Sequence, residues 1–256
     1  MARILITGSS DGLGLEAGRQ LLAQGHGVVL HARNEERAGD AKAALPGCET
    51  VVSADVSTLA GMKALAGEIA ALGPFDAVIH NVGIGYGGGP SITADGFQRI
   101  FAVNVVAPFV LTALTPRPQR LIYLSSEMHA GGNPDLSDPM WEKRRWNGVQ
   151  AYSDSKLHDT ILAIALAERW PGTLVNAVDP GWIATRMGGS SAPGTLDDGA
   201  RTQVWLAASD APEAAVTGGY FHNMRQLRAC PAAYDKAAQT RLLEYLETIT
   251  GIPLPQ

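Results

Sequence analysis

The fold is decided by the first stretch of the chain, which reads ARILITGSSDGLGL over residues 2–15. Its first part, residues 2–7, is a short apolar run of the kind that forms a buried strand. A Gly-rich loop over residues 8–14 follows at once, and the apolar residues spaced along 15–22 then predict a helix. A strand, a Gly-rich loop and a helix in this order place phosphate groups at a helix N-terminus.

The glycines of this loop each have a separate physical role. Gly8 permits the tight turn after the strand. Gly12 lets the backbone approach a pyrophosphate, and Gly14 allows the helix to pack closely on the strand. We therefore expect residues 8–14, with Leu13 among them, to bind a dinucleotide. The alternative is that the loop is simply a turn.

The residues after the second predicted strand, 28–31, favour a phosphorylated cofactor. An acidic residue at this place would bind the ribose 2′-hydroxyl and favour NAD. The chain has Ala32 and Arg33 instead, and a guanidinium is suited to a 2′-phosphate. Ser9 or Ser10 would add a hydrogen bond to the phosphate. We thus expect NADP(H) rather than NAD(H), with the alternative that Arg33 only caps or solvates a loop.

Strands and helices alternate along the whole chain, which predicts a three-layer α/β fold with a doubly wound parallel sheet. No linker and no internal repeat interrupts the alternation, so residues 1–256 are expected to form one Rossmann domain with about seven strands. The remaining predicted strands cover residues 49–52, 76–80, 120–124, 173–178 and about 219–222. A C-terminal helix is predicted from the spacing of Leu242, Leu243, Leu246 and Ile249.

One predicted helix carries an asparagine within an apolar segment. Thr93 is expected to begin this helix, which contains Asn104 and is ended by the prolines near residue 117. A buried asparagine must find hydrogen-bond partners. Asn104 is therefore either a structural hydrogen-bonding residue or part of a site.

Tyr152 and Lys156 lie four residues apart, which places both side chains on one face of a helix. A free tyrosine has a pKa near 10. A cation about 5 Å away, at an effective dielectric of about 20, would lower that pKa by roughly 2 units. Tyr152 would then be a usable general acid and base. The alternative is a pair of solvated neighbours on a surface helix.

Six motifs together resemble the short-chain dehydrogenase/reductase family, in its simple dehydrogenase branch. They fall in the order and spacing of that family and cover nearly the whole chain. Parts of the sequence are most similar to the retinol-dehydrogenase-like and protochlorophyllide-reductase-like group, including residues 125–129, 151–157 and 218–221. The six motifs are Thr7-Gly8-x-x-x-Gly12-x-Gly14, Asn81-x-Gly83, Asn104, Ser125-Ser126, Tyr152-x-x-x-Lys156 and Pro180-Gly181.

The resemblance implies catalytic roles for four residues. Tyr152 would give a proton to a carbonyl oxygen or take one from a hydroxyl, and Lys156 would lower the pKa of Tyr152 and hold the nicotinamide ribose. Ser126 would bind the substrate oxygen and stabilise developing charge. Asn104 would anchor a water that links Lys156 to solvent. The hydride would come from the cofactor.

The resemblance also implies cofactor and substrate contacts. Two segments, 127–150 and 182–196, are expected to contact substrate. For His129 the alternative is a loop histidine bonded to backbone, and for the tryptophans it is ordinary packing. The candidate substrate residues, besides Ser126, are Met128, His129, Trp146 and Trp182. The further cofactor residues are Asp55 and Val56 near adenine, Pro180 and Gly181 at the nicotinamide carboxamide, and Asn81, Gly83, Ile183 and Thr185 elsewhere along the cofactor.

Bulk properties narrow the function class. A net charge of −5 without a basic run gives no support for nucleic-acid binding. Cys48 and Cys230 lack metal-ligand spacing, so we expect no metal site and a location in the reducing cytoplasm. No apolar run is long enough to span a membrane, and the first strand begins at Ala2, so a soluble protein is expected.

Two questions remain open from the sequence. The helix that carries Asn104 is cut short, with only eight residues between Thr112 and Leu121. In many relatives that helix builds a dimer interface, so we expect the usual homo-oligomer to be weakened. The rival to an NADP(H)-dependent oxidoreductase acting on a carbonyl or secondary alcohol is a non-catalytic NADP-binding sensor or scaffold on the same fold.

Overall fold

The structure, a computed structural model, describes residues 1–255 and contains one twisted sheet. Its strands are β1 (Arg3–Ile6), β2 (Gly27–Ala32), β3 (Thr50–Ser53), β4 (Ala77–His80), β5 (Arg120–Leu124), β6 (Leu174–Val178), β7 (Tyr220–His222) and β8 (Arg225–Leu227). Within residues 1–255 they lie in the order β3-β2-β1-β4-β5-β6-β7-β8. All neighbours pair in parallel except β8, which pairs antiparallel with β7. The predicted doubly wound parallel sheet is confirmed.

Helices cover both faces of this sheet. They are α1 (Gly12–Ala23), α2 (Glu35–Ala44), α3 (Leu59–Leu72), α4 (Arg99–Phe101), α5 (Ala107–Leu114), α6 (Gly148–Arg169), α7 (Leu196–Ala208) and α8 (Lys236–Thr250). A π-helical turn, Ala102–Val106, joins α4 to α5. Most of the longer helices begin at a side chain that accepts a backbone N–H, which satisfies an otherwise unpaired donor. These N-caps are Asn34, Thr58, Asn147, Thr195 and Asp235.

Alternate residues of each central strand enter opposite cores, as the two-residue period of a strand requires. On β1, Leu5 joins the core built with α3, α5, α6 and α8. Its neighbours Ile4 and Ile6 join the core built with α1, α2 and α7. The domain is therefore the three-layer arrangement that the sequence predicts.

The sheet reverses its winding between β1 and β4, and this point positions the site. β1 pairs with β2 on one side and with β4 on the other, so the loops after β1 and β4 diverge from neighbouring strand ends. In open parallel sheets, ligands bind in the crevice at such a reversal. The Gly-rich loop follows β1 directly, and residues 81–89 follow β4.

Two sequence expectations need correction. The sheet has eight strands rather than about seven, because Asn223 and Met224 turn the chain back with positive φ and add the short β8. The helix predicted to begin at Thr93 begins at Arg99, with Gln98 as its N-cap. Thr93 instead accepts the Gly96 N–H in a turn. These turn residues lie between Ile92 and Gln98, which pair in an isolated β-bridge. Capping signals in the sequence did not reveal that pairing.

The chain covers its own central helices. α8 packs against α6, and the tail behind α8 buries Ile252 and Leu254 against the same core. The Trp170 indole N–H donates to the Pro255 carbonyl and fastens that tail. α5 does end early, at Leu114. The weakened oligomer stays a prediction. No helix within residues 1–255 is both long and apolar enough to cross a membrane.

His158 on α6 is a buried histidine whose ring nitrogens both lack a hydrogen-bond partner among the described residues. Burial lowers the pKa of His158 to about 4, so the ring stays neutral in the folded protein. In the unfolded chain it takes up a proton near pH 6.5. The folded state is therefore fully favoured above about pH 6.5 and loses stability as the pH falls from there towards about 4.

We expect His158→Leu to remove that part of the acid sensitivity. The free energy of unfolding of the wild type should fall between pH 7 and pH 4 by about 3 kcal/mol more than that of the variant, because the shift spans about two and a half pKa units. Urea unfolding of both proteins at a series of pH values measures this. Parallel losses in the two proteins would contradict the assignment.

Candidate active site

The Gly-rich loop has the shape of a phosphate cradle. Gly8 and Gly12 adopt φ of 62° and 55°, the left-handed region that favours glycine. A Cβ on Gly14 would lie 2.5 Å from Asn81 Nδ2 and 2.7 Å from the Gly8 carbonyl oxygen. A Cβ on Gly12 would meet nothing closer than Thr185, at 3.9 Å. The loop is thus packed tightly behind Gly14 and open above Gly12, where the unpaired N–H groups of the first turn of α1 lie.

His31 fixes the back of this loop. Its Nδ1 accepts the Gly8 N–H at 3.0 Å, and its Nε2 lies 3.0 Å from the Ala54 carbonyl oxygen. Nδ1 is therefore the unprotonated nitrogen and Nε2 the donor. Burial lowers the pKa of His31, which keeps this neutral form. Hydrogen bonds to the His31 ring therefore connect the ends of β1, β2 and β3.

Ser10, not Ser9, faces the expected cofactor side. Ser9 is buried, donates to the Ile6 carbonyl at 2.7 Å and accepts the His31 N–H at 2.9 Å. Ser10 is half-buried, and its Oγ lies 3.5 Å from the Arg37 guanidinium. Of the two alternatives, Ser10 is the hydroxyl that remains available for a phosphate.

Two arginines lie near the expected ribose phosphate. Arg33 is exposed just after β2, and no hydrogen bond or ion pair engages its guanidinium among the residues described. Arg37, on the first turn of α2, bonds Asp11 at 2.6 Å and Asp40 at 3.0 Å. Sequence reasoning missed Arg37, because its place beside the loop after β1 depends on the contact with Asp11.

The predicted adenine residues occupy the end of β3. Asp55 is exposed and its Oδ1 accepts the Ser57 N–H at 2.9 Å. Val56 is buried in the core that is built with α3, α5, α6 and α8. The two residues thus follow β3 directly, with Asp55 at the surface and Val56 in the core.

Asn81 ties the phosphate loop to β4. Its Nδ2 donates to the Thr7 and Gly8 carbonyl oxygens at 3.0 and 2.8 Å. Thr7 Oγ1 in turn accepts the N–H groups of Asn81 and Val82 at 3.1 Å. The strand ends at the reversal of the sheet are thus locked together by side chains.

Asn104 lies in the π-helical turn and is buried. Its amide donates to the Ile84 carbonyl at 3.1 Å and to Ser155 Oγ at 3.0 Å, and its Oδ1 accepts the Ile84 N–H at 2.9 Å. Asn104 therefore fastens the loop after β4 to α6. A Cβ on Gly83 would lie 3.5 Å from Asn104 Oδ1 and 3.7 Å from Lys156 Nζ, so Gly83 sits between the two.

The two serines after β5 have separate positions. Ser125 is buried, donates to the Lys156 carbonyl at 3.0 Å and lies 2.8 Å from Thr160 Oγ1. Ser126 is half-buried, and its side chain lies close enough to the Tyr152 hydroxyl to oppose the rise in the pKa of that tyrosine. Ser126 is the serine that the structure brings to the tyrosine.

Lys156 is a buried cation with two close partners. Its Nζ donates to the Leu124 carbonyl at 2.6 Å and to Asp159 Oδ2 at 2.9 Å. It lies 5.9 Å from the centroid of the Tyr152 ring. Burial alone would lower the pKa of Lys156, but Asp159 and Tyr152 outweigh it and hold that pKa above its usual value.

The structure corrects the expected pKa of Tyr152. Burial raises that pKa most strongly, Lys156 and Ser126 lower it, and Asp159 and Asp179 raise it again, so the net direction is upward. The sequence-based expectation of a pKa lowered by roughly 2 units considered Lys156 alone. It omitted the burial of the phenol and the carboxylate that pairs with the lysine.

The segment after β6 closes the nicotinamide side. Asp179 Oδ1 accepts the Gly181 N–H at 2.9 Å, which shapes the turn after Pro180. Ile183 is buried, and Thr185 Oγ1 accepts the Gly188 N–H at 3.0 Å. Residues 182–196 fold back on themselves through a bridge between Ile183 and Gly194.

Two loops meet above the cleft. Tyr86, which sequence reasoning did not single out, packs edge-on against the Tyr152 ring at 5.6 Å. A Cβ on Gly85 would lie 2.7 Å from Met187 Cγ, so the 182–196 segment touches the loop after β4. The indole N–H of Trp182 donates to the Gly188 carbonyl at 2.8 Å, and the ring is 58% exposed.

The candidate substrate residues of segment 127–150 separate into different environments. His129 is buried, with Nδ1 2.8 Å from the Ser126 carbonyl oxygen and Nε2 accepting the Cys230 N–H at 3.1 Å. That geometry matches the alternative of a loop histidine bonded to backbone. Trp146 packs edge-on against Trp141 at 5.2 Å. Met128 is half-buried and donates its N–H to Ser126 Oγ, which places it beside the catalytic candidates.

No cluster of three or more His, Cys, Asp or Glu side chains that could hold a metal ion occurs in the part of the chain the structure describes. A cavity of about 440 Å³ lies between the 182–196 segment, α7 and the β7–β8 turn. Its wall includes Trp182, Arg201, His222 and Met224. None of the residues that line it is Ser126, Tyr152 or Lys156.

The sequence of the chain is similar to those of known dehydrogenases and oxidoreductases. The family described as short chain dehydrogenase matches residues 2–122. An uncharacterized oxidoreductase of Emericella nidulans is 44% identical, over 100% of this chain and 99% of the relative. A short-chain dehydrogenase of Penicillium rubens is 43% identical over the full length of both chains. Human retinol dehydrogenase 13 is a more distant relative, 28% identical over 98% of this chain and 85% of its own.

Solved structures share the fold over most of the chain. An uncharacterized protein from Mycobacterium paratuberculosis superimposes with a TM-score of 0.87, at 25% identity, covering 100% of this chain and 96% of the other. A blue fluorescent protein from a metagenomic library, in complex with NADPH, gives a TM-score of 0.69 at 25% identity, covering 86% and 95%. The likeness thus includes a chain that carries a nicotinamide dinucleotide.

The tight packing behind Gly14 gives a test of the cradle. We expect Gly14→Ala to lower the free energy of unfolding by about 1–3 kcal/mol, because its Cβ would overlap Asn81 and the Gly8 carbonyl. It should also weaken NADPH binding by displacing the loop. Chemical denaturation and calorimetric titration measure both effects.

The matched control is Gly67→Ala on α3, where a Cβ meets nothing within 4 Å. That change should stabilise the protein by about 0.5–1 kcal/mol, since alanine is the better helix former. A Gly14→Ala variant that is as stable as the Gly67→Ala variant and binds NADPH normally would refute the cradle.

Proposed function

We propose, since the chain belongs to the short-chain dehydrogenase/reductase family, that it is an NADP(H)-dependent oxidoreductase that interconverts a carbonyl and a secondary alcohol. The observation that carries the proposal is the meeting of Ser126, Tyr152 and Lys156 at one end of the sheet. The Ser126 side chain lies close enough to the Tyr152 hydroxyl to act on its pKa, and the Lys156 ammonium is 5.9 Å from the centroid of the Tyr152 ring.

The residues present fit a nicotinamide dinucleotide. Gly8 and Gly12 have positive φ, and the first turn of α1 offers unpaired N–H groups to a pyrophosphate. The Arg33 guanidinium, with Ser10 and Arg37 nearby, would bind a 2′-phosphate. When bound, the cofactor supplies or accepts the hydride. Of the other expected contacts, Asn81 and Thr185 lie next to the Gly-rich loop, and Gly83 lies near Lys156.

The chain's own residues would handle the proton. Tyr152 would donate its hydroxyl proton to the substrate oxygen during reduction, as a general acid. Ser126 would hydrogen-bond the same oxygen and stabilise the charge that develops on it. Lys156 would keep a positive charge beside the phenol, and Asn104 would hold the loop after β4 in place while anchoring the water proposed to replenish the proton.

The substrate we propose is small and partly apolar. Tyr86, Trp182 and Met187 are exposed apolar side chains of the two loops near Tyr152. Human retinol dehydrogenase 13 is named for an alcohol with a large apolar surface, which supports an apolar carbonyl or alcohol here. The rival is a non-catalytic NADP-binding sensor, for which the retained Ser126, Tyr152 and Lys156 would be unnecessary.

Replacement of the tyrosine tests catalysis directly. We expect Tyr152→Phe to reduce turnover of a carbonyl panel with NADPH by about 10²-fold or more, because the general acid is lost. NADPH affinity should change by only a few-fold, since the ring remains. Steady-state kinetics and fluorescence titration measure the two quantities.

The control is Tyr245→Phe on α8, which removes a hydroxyl outside the site and should leave turnover unchanged. Near-normal turnover by Tyr152→Phe would end the mechanistic assignment. Tight NADPH binding by the wild type without turnover of any carbonyl would favour the sensor.

Arg33 tests the cofactor preference. We expect Arg33→Ala to lower kcat/KM for NADPH by about 10–100-fold, the effect of losing one charge-assisted contact, with little change for NADH. The control is Arg19→Ala, an exposed arginine on α1 that pairs only with Glu16 among the described residues. Equal wild-type efficiency with NADPH and NADH, or equal losses in the variant, would refute the preference.

A further inference from the structure

Asp159 is a buried carboxylate that the proposed reaction leaves without a role. Tyr152, Lys156 and Asp159 occupy positions i, i+4 and i+7 of α6, which places all three on one helix face. Asp159 Oδ2 lies 2.9 Å from Lys156 Nζ, and the two side chains are 3% and 6% exposed. Tyr152, the acid/base candidate, is therefore followed on the same helix face by two buried charged side chains, Lys156 and Asp159.

The Asp159 carboxylate depends on the lysine. Its second oxygen, Oδ1, is buried and has no hydrogen-bond partner among the residues described. An ionised carboxylate usually accepts several hydrogen bonds, and burial without them disfavours its charge. The Lys156 ammonium is thus the contact that keeps Asp159 ionised, and Asp159 in turn offsets the ammonium.

We propose that Asp159 is a positioning residue, which holds the Lys156 ammonium against the Leu124 carbonyl and offsets its charge, and so sets the pH range in which Tyr152 keeps its proton. The inference rests on the proposed function, because it concerns the acid/base group of that reaction. It goes beyond that function by assigning a residue that sets the pH dependence of the reaction.

The charges that face Tyr152 come from several elements. Lys156 and Asp159 lie on its own helix, Ser126 follows β5 and Asp179 ends β6; the Tyr86 ring covers it from the loop after β4. Lys156 favours the phenolate, whereas the two carboxylates favour the phenol. Burial acts in the same direction as the carboxylates and is the strongest influence on the pKa of Tyr152. The hydroxyl therefore keeps its proton at neutral pH, the form that donates to a carbonyl.

Lys156 is the cation that pairs with Asp159, because the other titratable side chains that face this carboxylate carry no positive charge. Tyr123 of β5 lies near enough for Asp159 to raise the tyrosine pKa, but the Tyr123 hydroxyl is bonded to Thr112 at 2.6 Å. His80 of β4 bonds the same threonine at 3.0 Å, and burial lowers the pKa of His80 to about 3, so the ring is uncharged. Neither residue supplies a positive charge to the carboxylate.

The pair has a defined response to pH. Burial raises the pKa of Asp159 to about 6, against the opposing effect of Lys156. Above that value the carboxylate is charged and offsets the ammonium. Below it the carboxyl is neutral, and Lys156 acts on Tyr152 with its full charge. At neutral pH Tyr152 is consequently expected to be protonated, which is the form from which carbonyl reduction starts.

The experiment compares pH profiles of the full-length enzyme and Asp159→Asn in both reaction directions. Removing one charge about 10 Å from the phenol, at an effective dielectric of about 20, should lower the Tyr152 pKa by about one unit. The alkaline limb of kcat/KM for reduction and the acid limb for oxidation should therefore both move about one pH unit lower. Asp159→Glu keeps the charge and should restore most of the wild-type profile.

The matched control is Asp154→Asn, which neutralises another buried carboxylate of α6 whose partner is Arg144. That change should leave both limbs in place. The proposal would be overturned if the limbs of the pH profiles of kcat/KM lay at the same pH in the wild type and in Asp159→Asn. A lower rate with unmoved limbs would also overturn it, because it would show a merely structural role.

A direct titration separates this inference from the proposed function. The tyrosinate absorbance of the wild type minus that of Tyr152→Phe reports the ionisation of Tyr152 alone. The same difference is then taken between Asp159→Asn and the variant that carries both substitutions. Neither measurement requires turnover. A lower midpoint in the Asp159→Asn background supports the inference even if no substrate is found. An unchanged midpoint overturns it even if NADPH-dependent reduction is established. If Asp159→Asn does not fold, Asp159→Glu supplies the comparison, with a wild-type midpoint expected.

Discussion

A buried ammonium is the constraint on which the catalytic end of this molecule depends. An isolated charge of this size costs several kcal/mol to bury, so Lys156 must keep partners wherever it lies. Those partners are the Leu124 carbonyl at the end of β5 and Asp159 on α6. The lysine can therefore stay only where α6 packs on β5. That packing brings Tyr152, one helical turn earlier, to Ser126 just beyond the same strand.

A second set of contacts fixes the opposite side of the groove. Thr7 and Asn81 exchange hydrogen bonds between the ends of β1 and β4, and Asn104 clamps Ile84 to Ser155. Side-chain hydrogen bonds therefore connect the phosphate loop, the loop after β4 and the helix that carries Tyr152. A cofactor held by the Gly-rich loop would find its reactive end beside the tyrosine because these strand ends are neighbours in a parallel sheet.

The sequence predicted what local rules control. The Gly-rich loop, the strand and helix alternation and the Tyr152–Lys156 spacing depend on backbone conformation and periodicity, and the fold they indicated is present. The direction of the Tyr152 pKa was wrong, because it depends on burial and on Asp159, which only the packed structure reveals. Tyr86 and Arg37 were missed for a similar reason: their relevance comes from a contact with Tyr152 and with Asp11. The helix start at Thr93 failed because a bridged turn precedes Gln98.

The C-terminal part of the chain takes a direct part in shaping the site. The family match ends at residue 122, before Ser126, Tyr152 and Lys156. The carbonyl of Ser126 lies 2.8 Å from His129 Nδ1, and His129 accepts the N–H of Cys230, close to the start of the segment that leads into α8. α8 then covers α6 from behind. The position of Ser126, the proposed catalytic serine, therefore depends on residues about a hundred positions further along the chain. We expect the segments 127–150 and 182–196 to determine what enters the cleft, while this buried support holds the proposed proton-transfer groups in place.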